Sequence, residues 1–71
     1  MKKKILIEGM SCGHCANHVK ETLSQLNGVT SVDVNLKEKY AILDTNIDVK
    51  DEDIKLAIED AGYEAVGIEA L

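Results

Sequence analysis

Val32-Asp33-Val34-Asn35-Leu36-Lys37-Glu38-Lys39-Tyr40-Ala41-Ile42-Leu43 is the stretch that decides the fold. Val32, Val34 and Leu36 alternate with Asp33 and Asn35, the period of a strand with one face against a core. After the charged Lys37-Glu38-Lys39, the run Tyr40-Ala41-Ile42-Leu43 is rich in strand-forming residues and predicts the return strand of a hairpin, ending near Thr45. Upstream, Ala16, Val19, Leu23 and Leu26 follow Cys15 at helical spacing and draw one stripe along a helix of about three turns. Asn27-Gly28 closes it, Gly28 being suited to a left-handed turn. Earlier still, Ile5 and Ile7 alternate with Lys4 and Glu8 in a strand over residues 3–8, although Leu6 breaks the alternation, and Gly9 permits a turn into a loop. Downstream, Asp51-Glu52-Asp53 places negative charge where it favours a helix N-terminus, and Ile54, Ala57, Ile58 and Ala61 supply the apolar stripe before Gly62 stops it. A last strand fits residues 64–69. The order β-α-β-β-α-β implies an α+β, ferredoxin-like sandwich with two helices on one face of a four-stranded antiparallel sheet. With no proline and no low-complexity linker, residues 1–71 read as one domain.

Composition prunes the functions open to such a unit. At 71 residues, 45% of them hydrophobic but with no Trp or Phe, the chain can bury only a small aliphatic core, leaving no room for a substrate pocket with a lid. Thirteen acidic against eight basic residues give a net charge of −5, and basic residues cluster only at Lys2, Lys3 and Lys4. Nucleic acid is therefore not an expected partner; the lysines read as solvating a strand end. The apolar run Ile5-Leu6-Ile7 is far short of a signal peptide or a membrane span, and no apolar run exceeds four residues, so the chain reads as cytoplasmic with no membrane insertion.

Chemistry concentrates in Gly9-Met10-Ser11-Cys12-Gly13-His14-Cys15, which holds both cysteines of the chain. Thiols this close cannot tie separate parts of a fold together, so they serve an ion or a redox reaction. Cys15 falls at the start of the first helix, where backbone N–H groups and the helix dipole should favour its thiolate. Cys12, in the preceding loop, can turn toward it. Soft sulfur ligands select Cu(I) or another thiophilic ion over Mg²⁺ or Ca²⁺. A structural zinc site wants four ligands, and the only nitrogen donors of histidine type are His14 and His18.

The strand followed by Gly-Met-Ser-Cys-Gly-His-Cys, the Gly28-Val29 helix ending, the Val-Asp-Val-Asn-Leu strand at 32–36 and the Ala-Gly-Tyr-Glu-Ala turn at 61–65 resemble the heavy-metal-associated domain. Within that family the chain is most similar to free-standing copper chaperones of the bacterial cytoplasm. The resemblance implies that Cys12 and Cys15 hold Cu(I) nearly linearly and pass it to the N-terminal metal-binding domain of a copper P-type ATPase. A copper-responsive repressor is another implied recipient, and the chain would be a monomer without copper and able to form a copper-bridged dimer. Met10 matches a methionine that packs beneath the metal loop, which agrees with its plainer reading as core filler. Tyr63 matches a tyrosine beside the site, where it either caps the small core or shields the metal. His14 reads as a solvated loop residue in a monomer, though its imidazole could ligate a copper shared by two molecules. His18, three residues after Cys15, reads as a surface residue; as a ligand it would complete a three-coordinate site and favour Zn²⁺.

Three rival readings remain. A thiol–disulfide oxidoreductase also carries CxxC at a helix start, but thioredoxin-like folds are longer and pair the motif with a cis-proline, and this chain has no proline. Relatives that bind Hg(II) or Zn(II) share the fold; the mercury scavengers are exported, whereas the Met1 start suggests no leader. Zinc relatives often place a carboxylate where this chain has Ser11. An excised ATPase domain is the remaining possibility, less suited to a chain running from Met1 to Leu71.

Overall fold

The computed structural model describes residues 1–11 and 13–71. In chain order these form β1 (Lys2–Glu8), α1 (Gly13–Ser24), β2 (Val29–Asn35), β3 (Tyr40–Thr45), α2 (Asp51–Asp60) and β4 (Glu64–Ala70). The strands make a four-stranded sheet in the order β2-β3-β1-β4, with every neighbouring pair antiparallel. This is the ferredoxin-like βαββαβ arrangement expected from the periodicity. Among the described residues, no helix is long and apolar enough to cross a membrane.

Alternation along the two inner strands puts Ile5, Ile7, Ala41 and Leu43 on one face, where they are fully or almost fully buried. Val19 and Leu23 of α1 and Ile54 and Ile58 of α2 close over that face and join the same cluster. Leu6, which interrupts the alternation of its neighbours, lies opposite Gly67 on β4 and packs toward it: a Cβ at Gly67 would stand 3.3 Å from Leu6 Cδ1. The register shifts between Leu6 and Ile7, so the strand bulges just before it reaches the Gly9 turn.

Element boundaries differ modestly from expectation. Strand β2 begins at Val29, and Leu36 lies beyond it in the turn, still packed against the core. Helix α1 stops at Ser24, and Leu26 is held by a tighter turn through its N–H to the Leu23 carbonyl, 3.1 Å. The N-terminal lysines do more than solvate a strand end. Lys3 shares the inner face with Ile5 because side chains alternate along β1; its Nζ donates to the Val49 carbonyl at 2.6 Å and to Asp51 Oδ1 at 2.8 Å. It thereby anchors the start of α2, whose N-cap, Lys50, makes no side-chain capping bond.

Gly28 turns the chain from α1 into β2 at φ +92°, and an added Cβ would lie 2.2 Å from Ile47 Cγ1. Gly28→Ala combines left-handed strain of roughly 1–2 kcal/mol with displacement of Ile47. Its melting temperature should fall by about 10 °C; a melt within about 3 °C of the parent would show that the turn relaxes freely.

Candidate metal centre

From the end of β1 the chain passes through Gly9, Met10 and Ser11 toward α1. Met10 turns inward and joins the hydrophobic core, only 5% exposed. Its thioether is thus committed to packing under the loop. Ser11 and His14 are exposed, while Cys15, in the first turn of α1, is partly buried against the core. Cys12, the other expected ligand, lies outside the described residues. The orphan N–H groups of the first helical turn create a field that favours negative charge beside Cys15. Among the described residues, no group of three or more His, Cys, Asp and Glu side chains is placed to hold an ion.

The second wall of the centre comes from the far half of the chain. Helix α2 ends in a two-bond cap: the Gly62 N–H donates to the Glu59 carbonyl at 3.0 Å and the Tyr63 N–H to the Ile58 carbonyl at 3.1 Å. Gly62 supplies the left-handed residue this cap requires, at φ +95°. The cap delivers Tyr63 to the Gly9 turn, where its Cδ1 would lie 3.3 Å from a Cβ on Gly9. The ring is partly buried and packs on the core. Its hydroxyl lies 3.5 Å from His18 Nδ1, and the two rings meet edge to face with centroids 5.8 Å apart and planes at 75°.

His18 is exposed on α1, one turn beyond Cys15. The structure therefore joins two residues that the sequence suggested separately, Tyr63 and His18, across 45 positions. Helical spacing signals only that His18 shares a face with Cys15; nothing local in the sequence signals that Tyr63 reaches the imidazole.

The heavy-metal-associated domain model matches residues 4–64, spanning β1 and its loop, both helices and the start of β4. The chain belongs to the heavy-metal-associated domain family. It is 47% identical over 64 residues to the copper chaperone CopZ of Staphylococcus epidermidis, covering 89% of this chain and 94% of that relative. Among solved structures it is similar to a CopZ metallochaperone, at 40% identity and a TM-score of 0.87 over 93% of this chain and 100% of that one. A copper-binding domain from HMA7, a P-type ATPase, is 42% identical, with a TM-score of 0.86 over 99% of this chain and 96% of that one. A family scaffold of this kind brings the Met10 loop and the Tyr63 turn to the same end of the sheet through the pairing of Glu8 with Glu64.

Proposed function

We propose that this chain is a cytoplasmic copper chaperone that carries Cu(I) between the thiolates of Cys12 and Cys15. The observation that carries the reading is the 47% identity to a copper chaperone over 89% of the chain. The chemistry of the residues supports it. Two soft thiolates suit a low-coordinate thiophilic ion, and the first turn of α1 offsets the negative charge gathered around Cys15.

Copper is cargo here, so the mechanism is exchange and not catalysis. An under-coordinated Cu(I) can accept a third thiolate from an incoming protein and then release one of the chain's own sulfurs. At no stage does the ion need water as a ligand, so tight holding and rapid transfer are compatible. The acceptor we propose is a metal-binding domain of a copper P-type ATPase, a reading supported by the likeness to the HMA7 domain. A copper-responsive repressor is a second recipient for the same exchange, and bridging thiolates would allow a copper-linked dimer.

The test is a competitive titration of the reduced protein with Cu(I), Zn²⁺ and Hg²⁺ against chelators, followed by mixing the copper form with an ATPase metal-binding domain. We expect one Cu(I) per chain, preferred over Zn²⁺, and complete transfer equilibrium without release to a chelator. His18→Ala should leave the Cu(I) affinity within about twofold of the parent, as suits a residue outside a two-sulfur site. Preference for Zn²⁺ that depends on His18 would replace this reading with a three-ligand divalent site.

A further inference from the structure

Charge is unevenly placed on this chain. Residues 48–60 carry six acidic and two basic side chains, while the rest of the chain carries seven and six, so nearly all of the net charge of −5 belongs to α2 and the loop before it. The same segment lines an open groove of about 700 Å³ between the turn that follows α1 and the outer side of α2. Its apolar lining includes Leu26, Ile47 and Leu56, with Ile47 46% and Leu56 62% exposed. The other large exposed hydrophobics among the described residues, Met1, Val66 and Leu71, lie outside it. Glu52, Asp53 and Asp60 stand exposed along the groove and make no ion pair among the described residues. Asp48, also in the lining, lies 3.8 Å from Lys3 Nζ, and Lys50 is the one cation of the lining among the described residues.

We propose that this groove is a docking site for a basic, amphipathic segment of a partner protein, with apolar side chains seated on Ile47 and Leu56 and cationic side chains on Glu52, Asp53 and Asp60. An exposed apolar strip rimmed by polar groups is the form of a protein-docking surface, and the sign of the rim selects the occupant. A second copy of this chain would bring acidic rim against acidic rim, and nucleic acid or anionic lipid is repelled for the same reason. A small molecule would be left largely in solvent by so open a groove, whereas binding pockets bury most of their ligand. Leu26, at one wall, lies past the end of α1 at Ser24, which is itself about 14 Å along the helix from Cys15. A segment seated there leaves the first turn of α1 uncovered. So short a strip makes a weak contact that speeds and orients encounter.

The test is amide chemical-shift mapping of the reduced, metal-free protein titrated with a short helical peptide of leucine and lysine, the leucines on one face. Shifts should concentrate at Leu26, Asn27, Ile47 and residues 52–57, leaving the amides of Glu8, Glu38 and Glu69 unmoved. Leu56→Ala should weaken binding about fivefold through lost apolar contact. Glu52→Gln/Asp53→Asn should weaken it by about the same factor at low salt and less at high salt. The matched peptide with glutamate in place of lysine should not bind. Cys15→Ser should bind the lysine peptide as the parent does, so this result stands or falls apart from the thiolate reading. Shifts spread over every acidic surface, or binding indifferent to Leu56→Ala, would reduce the effect to unspecific charge attraction and overturn the proposal. Binding of the glutamate peptide, or self-association of the protein that Leu56→Ala abolishes, would overturn it by giving the groove a different occupant.

Discussion

Cys15→Ser should lower Cu(I) affinity by well over 100-fold while the protein stays folded. Loss of a residue that merely supports a ligand costs a metal site about 10–100-fold, so removal of one of the two sulfurs proposed as ligands should exceed that range. A hydroxyl is a hard, weakly acidic donor and does not replace a soft thiolate for Cu(I). The structural cost is small, because Cys15 is only partly buried against the core, at the first turn of α1. A change in unfolding free energy within about 1 kcal/mol is expected for so conservative a replacement. A chelator competition on the reduced variant, paired with a thermal melt, checks both halves. Copper held as tightly as in the parent would remove Cys15 from the ligand set. Copper lost together with the fold would show instead that Cys15 acts through packing.

The largest effect on the fold is expected from Leu23→Ala. Leu23 is fully buried where α1 lies on the sheet, and the core around it contains aliphatic side chains and Met10. Truncating a buried Leu removes its transfer free energy and leaves a cavity, together about 2–5 kcal/mol. A chain of this length has a total stability of roughly 4–10 kcal/mol, so the loss is a large part of the whole. The melting temperature should fall by about 10–30 °C. Leu56→Ala supplies the control: Leu56 is 62% exposed, and its truncation should change stability by no more than about 0.5 kcal/mol. Equal melts for the two variants would mean that α1 does not close the core as described.

Periodicity made most of the architecture legible before any coordinates. Alternation in Val32–Val34 and Ile5–Ile7, and helical spacing in Val19–Leu23 and Ile54–Ile58, report local geometry, because a side chain's direction follows from its position along a strand or helix. Those same residues form the buried cluster, except Val34, which is partly buried against it. Boundaries were less legible. Leu26 belongs to the apolar stripe of α1 but lies past its end at Ser24, since a tight turn keeps a residue on the core face as well as a helix does.

The candidate site divides in the same way. The residue types in Met10-Ser11-Cys12-Gly13-His14-Cys15, and hence a thiolate chemistry and the family resemblance, are properties of a contiguous segment and are carried by the sequence alone. The inward turn of Lys3 to Val49 and Asp51, and the meeting of Tyr63 with His18, were decided by tertiary structure. Each joins residues more than 40 positions apart. Contacts at such separation depend on which strands pair and how helices cross them. The order β2-β3-β1-β4 sets β1 beside β4, and that pairing carries the Tyr63 turn against Gly9. Local pattern determines what each segment becomes and which residues it offers; the assembled sheet determines which distant side chains stand next to them.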